Sequence, residues 1–233
     1  MEIYAVKISD INEENLKELC LLIDSEKKCK IEKFVNKKDK IRSIISEILI
    51  RTIIIKKLKI SNKHIKFSKN QYGKPYLNEY SNFNFNISHS GDYILCAIDN
   101  NIIGIDVEKI KNIEYKEIAK SFFTKKEFEY IVNQDLNVQL NKFYDIWILK
   151  ESYIKCCGQG LSMKLESFSI EIDEFKNIKL LSNNKCKDYI FKLFNIDLDY
   201  KVAVCSINKE IPNNIIKIEQ KFLINRFIEF NFE

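Results

Sequence analysis

Apolar residues recur along this chain with two spacings, one typical of helices and one typical of strands. From Asp39 to Leu58 they repeat at helical spacing, which predicts a long amphipathic helix. Residues 1–9 alternate between apolar and polar side chains and predict a strand. Further strands are predicted at Ile65–Ser68, Phe83–Ser88 and Tyr93–Asp99.

The remainder of the chain repeats this order of strands and helices. A new strand is predicted from Ile102, after the turn residues Asn100 and Asn101. Thr124 and Glu127 have the spacing of a capping box, which predicts a helix start there. Helices are predicted near Tyr115–Ser121, from Thr124 and over Gln139–Cys157, and strands at Phe168–Ile172, Tyr189–Ile196 and Lys201–Ile207.

Each half of the chain therefore contains strands, one long helix and closing strands. The strand pattern at Tyr93–Ile98 is loosely repeated at Tyr200–Ile207. This echo predicts an α+β fold made of two similar subdomains, residues 1–101 and residues 102–233. We expect a ligand to bind in the cleft between the two subdomains.

The composition indicates a globular chain. Hydrophobic residues make up 45% and charged residues 30% of the 233 positions. The most apolar stretch, Ile41–Leu58, contains five charged side chains, so we expect no membrane span and a cytoplasmic protein. Seven cysteines without a CxxC pair predict reduced thiols in the core, and neither a disulfide framework nor a zinc site.

The formal net charge of +5 and the pI near 8.6 favour an anionic partner. The alternative is that lysine is simply an abundant surface residue here. One basic stretch enters the first long helix, and it is either a solvated face or a contact to phosphate or nucleic acid. It contains Lys27, Lys28, Lys30, Lys33, Lys37, Lys38, Lys40 and Arg42.

A pair of carboxylates lies in the predicted strand after Ile102. Because side chains alternate along a strand, Asp106 and Glu108 project from the same face. Two adjacent carboxylates repel each other without a cation, whereas Mg²⁺ would use them as oxygen ligands. The alternative is a solvated face of a two-sided sheet.

A second acidic group lies on the helix predicted at Gln139–Cys157. At about 100° per residue, Glu151 falls on the apolar face of this helix, and Lys155 falls at the edge of that face. A carboxylate there needs a metal, a cation or several hydrogen bonds. The alternative is an exposed Glu-to-Lys pair worth only ~0.3 kcal/mol. The apolar face comprises Leu140, Phe143, Tyr144, Trp147 and Ile154.

Two shorter segments carry polar groups at turns. Phe83–Ser90 ends in Ser88, His89 and Ser90 just before a glycine turn, so hydroxyl, imidazole and free backbone N–H groups can bind an anion there. The alternative is a structural histidine. In Tyr72–Tyr76, a glycine and a proline bracket a loop whose backbone can approach a flat ligand closely.

These segments, in this order, resemble the surfactin-synthetase-activating (Sfp-type) 4′-phosphopantetheinyl transferases. The resemblance spans nearly the whole chain and rests on Gly73–Pro75, Asn86–Ser90, Gly104–Glu108 and Trp147–Lys155. It implies a pseudo-two-fold pair of α+β subdomains. It also implies a site at their interface for coenzyme A and for Mg²⁺, or Mn²⁺ in its place.

The resemblance further implies roles for individual residues. Asp106, Glu108 and Glu151 match the metal ligands, and Lys155 matches the lysine on the pyrophosphate of coenzyme A. Glu151 is also the candidate for accepting the serine proton, directly or through a metal-bound water, so its role is base, ligand or both. The other implied coenzyme contacts are Ser88 and His89 for phosphate, Lys74 and Pro75 for adenine, and Lys27, Lys30, Arg42 and Ser43 for the 3′-phosphate.

The implied reaction moves the 4′-phosphopantetheine arm of coenzyme A onto a serine of an acyl or peptidyl carrier protein, with release of 3′,5′-ADP. We expect an acidic carrier protein as partner and a monomeric enzyme. A nucleic-acid-binding module is the first alternative, but Asp106 and Glu108 would repel phosphate without a metal. The second alternative is a catalytically inert carrier-binding scaffold, against which the presence of Glu151 and Lys155 argues.

Overall fold

A computed structural model describes residues 1–182, 188–208 and 210–232. The strands in these ranges are β1 (Glu2–Lys7), β2 (Phe67–Lys69), β3 (Pro75–Leu77), β4 (Asn84–Ser90), β5 (Tyr93–Asp99), β6 (Ile103–Lys109), β7 (Ser169–Ile172), β8 (Ile178–Leu181), β9 (Ile190–Phe194), β10 (Tyr200–Ser206) and β11 (Ile216–Glu219). The α-helices are α1 (Glu13–Leu21), α2 (Ser25–Glu32), α3 (Lys37–Leu58), α4 (Tyr115–Phe122), α5 (Lys125–Val132), α6 (Leu136–Cys157) and α7 (Gln220–Phe232).

Two sheets face each other at the centre of the molecule. The first has the strand order β11-β1-β5-β4 and the second the order β6-β10-β9. All neighbours in these sheets are antiparallel except β1 and β11, which are parallel. Helix α3 covers the outer side of the first sheet and α6 covers the outer side of the second. Two similar helix-and-sheet units therefore meet through their sheets, as the α+β prediction required.

The alternation of side chains explains why β5 is buried on both faces. Leu95 and Ala97 point into the apolar layer between the sheets, where they meet the β6 residues Ile105 and Val107. Cys96, on the other face, packs in the core beneath α3. Both faces of a central strand are covered in this arrangement, so β5 is apolar throughout its middle and not amphipathic.

The last strand and helix pack on the first half of the chain. β11 pairs with β1, and α7 lies against α3, with Leu223 and Phe227 buried in the core beneath that helix. The predicted division at residue 101 would assign both elements to the second half. Instead, β11 covers the outer edge of β1 and completes the first sheet. Helix α7 covers the apolar side of α3.

Most predicted elements are present, with shifted ends. The predicted helix at 39–58 begins earlier, at Lys37, because the side chain of Asn36 accepts a hydrogen bond from the backbone N–H of Lys38. The strand predicted at 65–68 is shortened to begin at Phe67, since a 3-10 turn occupies Asn62–His64. The elements that the pattern did not predict are α1, α2, β3, β8, β11 and α7.

An ion pair between Lys150 and Glu127 lies in the core of the second half, and both side chains are 0% exposed. Lys150 Nζ donates to Glu127 Oε1 at 2.7 Å and to the carbonyl oxygen of Phe168, also at 2.7 Å. Glu127 also accepts from the backbone N–H groups of Thr124 and Ile170, which confirms the capping box. The pair therefore ties α6, α5 and the start of β7 together.

The described cysteines are all free, as the sequence indicated. Four of them are buried, but Cys29 is exposed on α2, so the prediction that they are all core thiols is wrong for this residue. Cys29 is exposed because α2 is a short helix that buries one side chain, Ile31, and Cys29 lies on its polar side. No helix within the described ranges has the length and apolar character needed to cross a bilayer.

Replacing Lys150 with Met should lower the free energy of unfolding by about 3–5 kcal/mol, because Glu127 would remain buried without its cation. Urea unfolding measures this loss. The matched control is Lys125→Met, since Lys125 forms an exposed pair with Glu129 at 3.7 Å, and its loss should cost no more than about 1 kcal/mol. Equal losses in the two variants would contradict a structural role for the buried pair.

Candidate active site

The two sheets are joined at one seam by side chains of β4 that bond to the backbone of β6. Asn86 Oδ1 accepts from the N–H of Ile105 at 2.8 Å. Ser90 Oγ accepts from the N–H of Lys109 at 3.1 Å, and Ser88 lies between them. Because these acceptors are two residues apart, they match the alternate N–H groups of an extended partner strand. We call these bonds the β4–β6 ladder.

The same serines also hold the two carboxylates of β6. Ser88 Oγ donates to Asp106 Oδ1 at 2.9 Å, and Lys155 Nζ donates to that oxygen at 2.6 Å. Ser90 Oγ donates to Glu108 Oε2 at 2.7 Å. The other oxygen of Asp106, Oδ2, is buried and has no hydrogen-bond partner in the described structure. An unsatisfied, buried carboxylate oxygen of this kind is costly unless a cation or a donor reaches it.

The pKa values of two glutamates near Asp106, Glu108 and Glu151, are raised. Burial raises the pKa of Glu108, and the charge of Asp106 raises it further, although the Ser90 hydrogen bond opposes the change. Burial and the charges of Asp106 and Glu108 likewise raise the pKa of Glu151, while Lys155 opposes this rise. The single ammonium group of Lys155 thus does not compensate three carboxylates.

Close packing of β6 against α6 brings Glu151 and Lys155 to this position. A Cβ atom at Gly104 would overlap the carbonyl oxygen of Ser152 and the backbone nitrogen of Cys156. Only glycine allows the strand to touch the helix backbone at this point. Ser152 itself is completely buried, which accounts for a small residue one position after Glu151.

Helix α6 is covered on more sides than the sequence predicted. Lys150 and Ser152, which lie outside the predicted apolar face, are completely buried, whereas Glu151, which was placed on that face, is only partly buried. The physical reason is that α5 and β7 pack on the helix side opposite the sheet. Glu151 and Lys155 lie where this cover ends, beside the seam.

Within the described residues, no three His, Cys, Asp or Glu side chains are grouped as a ready metal site. The Lys155 ammonium already bonds to one oxygen of Asp106. The residues nevertheless fit a hard divalent cation on their chemistry, because Asp106 Oδ2 lacks a partner and the raised pKa values of Glu108 and Glu151 reflect uncompensated negative charge.

Cationic groups lie on the other side of β4. Arg42 Nε donates to the carbonyl oxygen of Gly91 at 2.9 Å, and its guanidinium pairs with Asp39. His89 points to this side, because alternation along β4 separates it from Ser88, and its side chain is exposed. Local desolvation and the charge of Arg42 lower the pKa of His89. Ser88 and His89, the two residues predicted to contact phosphate, thus lie on opposite faces of the end of β4.

Lys74 points into the protein. Its Nζ donates to the carbonyl oxygens of Ile103 at 3.0 Å and Lys155 at 2.7 Å, and burial lowers its pKa. The ammonium group therefore stabilises the C-terminal end of α6, where backbone carbonyls lack helical partners. This side chain is engaged within the protein, so only the loop backbone and the partly exposed Pro75 remain for the predicted adenine contact.

The remaining predicted 3′-phosphate residues are spread over α2 and α3. Lys27 pairs with Glu47 at 3.7 Å, and Lys30 pairs with Glu26 one turn before it. Ser43 is partly buried next to Arg42 on α3. The ion pairs of Lys27 and Lys30 are with glutamates of α3 and α2. The structure does not bring these lysines into contact with Asp106, and their role in binding the 3′-phosphate stays a prediction.

Sequence reasoning missed several residues that build the site. Gly104 is one of only 5 glycines in the chain. The scarcity of glycine could have indicated that this position needs a residue without a side chain. Lys150 looked like an ordinary helix lysine, and nothing local predicts its burial. The sequence places Ser90 with Ser88 and His89 at the strand end, but the bonds of Ser90 and Asn86 to the β6 backbone were not predicted. The alternating spacing of Asn86, Ser88 and Ser90 could have indicated a common partner strand.

Comparison with known families covers most of the chain. Residues 11–101 match the model of the N-terminal part of 4′-phosphopantetheinyl transferases, and residues 102–205 match the model of the 4′-phosphopantetheinyl transferase superfamily. In solved structures, a holo-(acyl-carrier-protein) synthase from Bacillus anthracis covers 45% of this chain and 93% of its own, with 18% identity. Its TM-score of 0.39 is too low to establish a shared overall fold.

Curated relatives match more fully. The 4′-phosphopantetheinyl transferase Sfp of Bacillus subtilis (strain 168) is 34% identical over 225 residues, which is 96% of this chain and 100% of that protein. The 4′-phosphopantetheinyl transferase gsp of Aneurinibacillus migulanus is 36% identical over 213 residues, which is 90% of this chain and 87% of that protein. On this identity and coverage, the chain belongs to the Sfp-type 4′-phosphopantetheinyl transferase family and is a transferase enzyme.

Proposed function

We propose that this enzyme transfers the 4′-phosphopantetheine group of coenzyme A to a serine of an acyl or peptidyl carrier protein, in a reaction that requires Mg²⁺ or Mn²⁺ and releases 3′,5′-ADP. The observation that carries this proposal is the unpartnered, buried oxygen of Asp106 beside Glu108, Glu151 and Lys155. The family membership supports the same reaction class.

In the proposed reaction, the serine hydroxyl oxygen of the carrier attacks the phosphorus atom that bears the pantetheine arm. A new P–O bond forms to the serine, and the P–O bond to the adenosine 3′,5′-bisphosphate breaks, with the electron pair leaving on its oxygen. The serine proton passes to a base. We assign this role to Glu151, because burial and the neighbouring carboxylates raise its pKa and so make it a stronger base than an ordinary glutamate.

Asp106, Glu108 and Glu151 would hold the divalent cation, since their oxygens are of the type that Mg²⁺ prefers. A divalent cation held by these residues would supply Lewis-acid stabilisation of the negative charge on the pyrophosphate. The carboxylates repel one another without it, as the raised pKa values of Glu108 and Glu151 indicate.

Lys155, Ser88 and His89 would position the anionic coenzyme. The ammonium of Lys155 lies within 2.8 Å of Ser88 Oγ, so one anion can contact both groups. His89 is next to the guanidinium of Arg42, which lowers its pKa in the free enzyme. A bound phosphate would reverse that influence and favour the protonated imidazole. Catalysis by these residues is mainly positioning and charge stabilisation.

One chain supplies all the groups of the proposed reaction named above, from α3, β4, β6 and α6. We therefore propose that a monomer is sufficient for activity and that the enzyme acts in the cytoplasm on an acidic carrier. The two halves would hold coenzyme A between them, with the predicted contacts of Lys27, Lys30, Arg42, Ser43, Lys74 and Pro75 on the first half.

Incubation of the enzyme with an apo-carrier protein, coenzyme A and Mg²⁺ should add one phosphopantetheine mass to the carrier, as measured by intact mass spectrometry. The control is Asp106→Ala, which should remain folded and show no mass gain, because a metal ligand and the contact to Lys155 are lost. A full mass gain with Asp106→Ala at limiting Mg²⁺ would contradict the metal assignment. No gain with any carrier would contradict the function.

Glu151→Gln should slow single-turnover transfer by at least ~10²-fold, which is typical of losing a general base. Rapid-quench measurement of carrier modification at saturating coenzyme A provides the rate. If the variant transfers at the wild-type rate, Glu151 is neither base nor ligand.

The same substitution should stabilise the metal-free protein at neutral pH. Because the native-state pKa of Glu151 is raised, the charged form destabilises the fold, and stability is lost as pH rises through that pKa. The gain in melting temperature of Glu151→Gln over wild type should therefore be largest near pH 7. It should disappear towards the ordinary glutamate pKa of about 4.3, where both proteins are neutral at this position. A gain that is independent of pH would contradict the electrostatic explanation.

The transfer rate at sub-saturating carrier should fall as ionic strength rises. The chain carries a formal charge of +5, so association with an acidic carrier is steered electrostatically and screened by salt. Rates are compared at low and moderate NaCl, with saturating carrier as the control for effects on chemistry. Carrier-limited rates that stay constant would exclude charge from partner recognition.

A further inference from the structure

The hydroxyl group of Ser90, in the β4–β6 ladder, forms hydrogen bonds to two different groups of β6. Its Oγ accepts from the backbone N–H of Lys109 at 3.1 Å and donates to Glu108 Oε2 at 2.7 Å. The first bond fixes Ser90 against the strand, and the second fixes the side chain of the residue before Lys109. A serine hydroxyl has one donor and two acceptor directions, so Ser90 can accept from the backbone N–H and donate to Glu108 at the same time.

Glu108 needs such a restraint more than an ordinary surface glutamate does. Asp106 and Glu108 are two residues apart on β6 and project from the same face of the strand, so the two carboxylates are close enough to repel each other. A glutamate side chain also has considerable rotamer freedom, and ordering it costs of order 1 kcal/mol or more. A charge-assisted hydrogen bond is strong enough to offset that cost.

The two serines of the ladder leave one oxygen of each β6 carboxylate available. Ser88 and Lys155 bond to Asp106 Oδ1, while Asp106 Oδ2 has no partner. Ser90 bonds to Glu108 Oε2, and no side chain or backbone group of the described residues donates to Glu108 Oε1. A donor on one oxygen of a carboxylate orients the other oxygen toward a cation.

Asn86 provides the internal comparison. It makes the same kind of side-chain bond to the β6 backbone, from Oδ1 to the N–H of Ile105 at 2.8 Å, but its recorded bond is to backbone and not to a carboxylate. A purely structural role of the ladder predicts similar consequences for the loss of either side chain. A role in orienting Glu108 predicts a consequence that is specific to Ser90.

We propose that Ser90 is a positioning residue for the divalent cation, acting through the orientation of Glu108. This inference rests on the proposed function, since it assumes that Glu108 binds the metal. Ser90 touches neither substrate nor metal in this proposal. Its contribution is to hold Glu108 Oε2 so that the second oxygen of that carboxylate faces the cation together with Asp106 Oδ2.

The test is a calorimetric titration of MgCl₂ into the complex of the enzyme with coenzyme A, without carrier, so that binding is measured and not turnover. Ser90→Ala should weaken Mg²⁺ binding by roughly 10–100-fold, the usual effect of removing a group that orients a metal ligand. Ser90→Thr, which keeps the hydroxyl, should restore affinity close to that of the wild type. Asn86→Ala should lower the melting temperature and leave Mg²⁺ affinity essentially unchanged.

Three outcomes would overturn the inference. Ser90→Ala could bind Mg²⁺ as tightly as the wild type, Ser90→Thr could be as weak as Ser90→Ala, or Asn86→Ala could weaken binding equally. The last result would assign the effect to strand pairing. Wild-type enzyme that binds no Mg²⁺ would instead contradict the metal site itself, so failure of the proposed function is distinguished from failure of the role of Ser90.

Discussion

The organisation of this enzyme depends on the β4–β6 ladder. Two sheets that share no backbone pairing at this edge are held in register by Asn86, Ser88 and Ser90 of β4, whose side chains accept hydrogen bonds from alternate N–H groups of β6. Backbone groups at the edge of a sheet must find partners when they are buried. Here the partners are side chains of the other half, so the joint between the halves also becomes the place where polar groups converge.

That joint determines the electrostatics of the site. Asp106 and Glu108 project beside the serines of the ladder, and Lys155 of α6 bonds to Asp106. Burial and the charges of Asp106 and Glu108 raise the pKa of Glu151, which also lies on α6. In the absence of a bound cation this arrangement opposes stability, as the raised pKa values of the two glutamates show. Under the proposed function, a bound divalent cation would relieve this repulsion, and a functional site is where such a locally unfavourable group of charges is expected.

The position of α6 is fixed from three directions. Gly104 lets β6 touch the helix backbone, Lys74 bonds to the carbonyl groups at the helix C-terminus, and Lys150 anchors the buried side through Glu127. Each contact involves a different element, so the helix cannot slide without breaking one of them. Glu151 and Lys155 are therefore presented by a rigid support, as required of groups that must be placed accurately for phosphoryl transfer.

The sequence by itself determined the α+β class, the long helices and the strand with paired carboxylates, because these follow from local periodicity and from the alternation of side chains along a strand. The candidate site residues were identified through the resemblance of their motifs to a known family, and their roles stay predictions. Tertiary structure alone decided that β11 pairs with β1, that Lys74 points inward and that Lys150 is buried. The physical reason is that each of these depends on groups far apart in the chain. A lysine carries the same local signal whether it meets water, a helix terminus or a buried glutamate, and only the packed fold selects its partner.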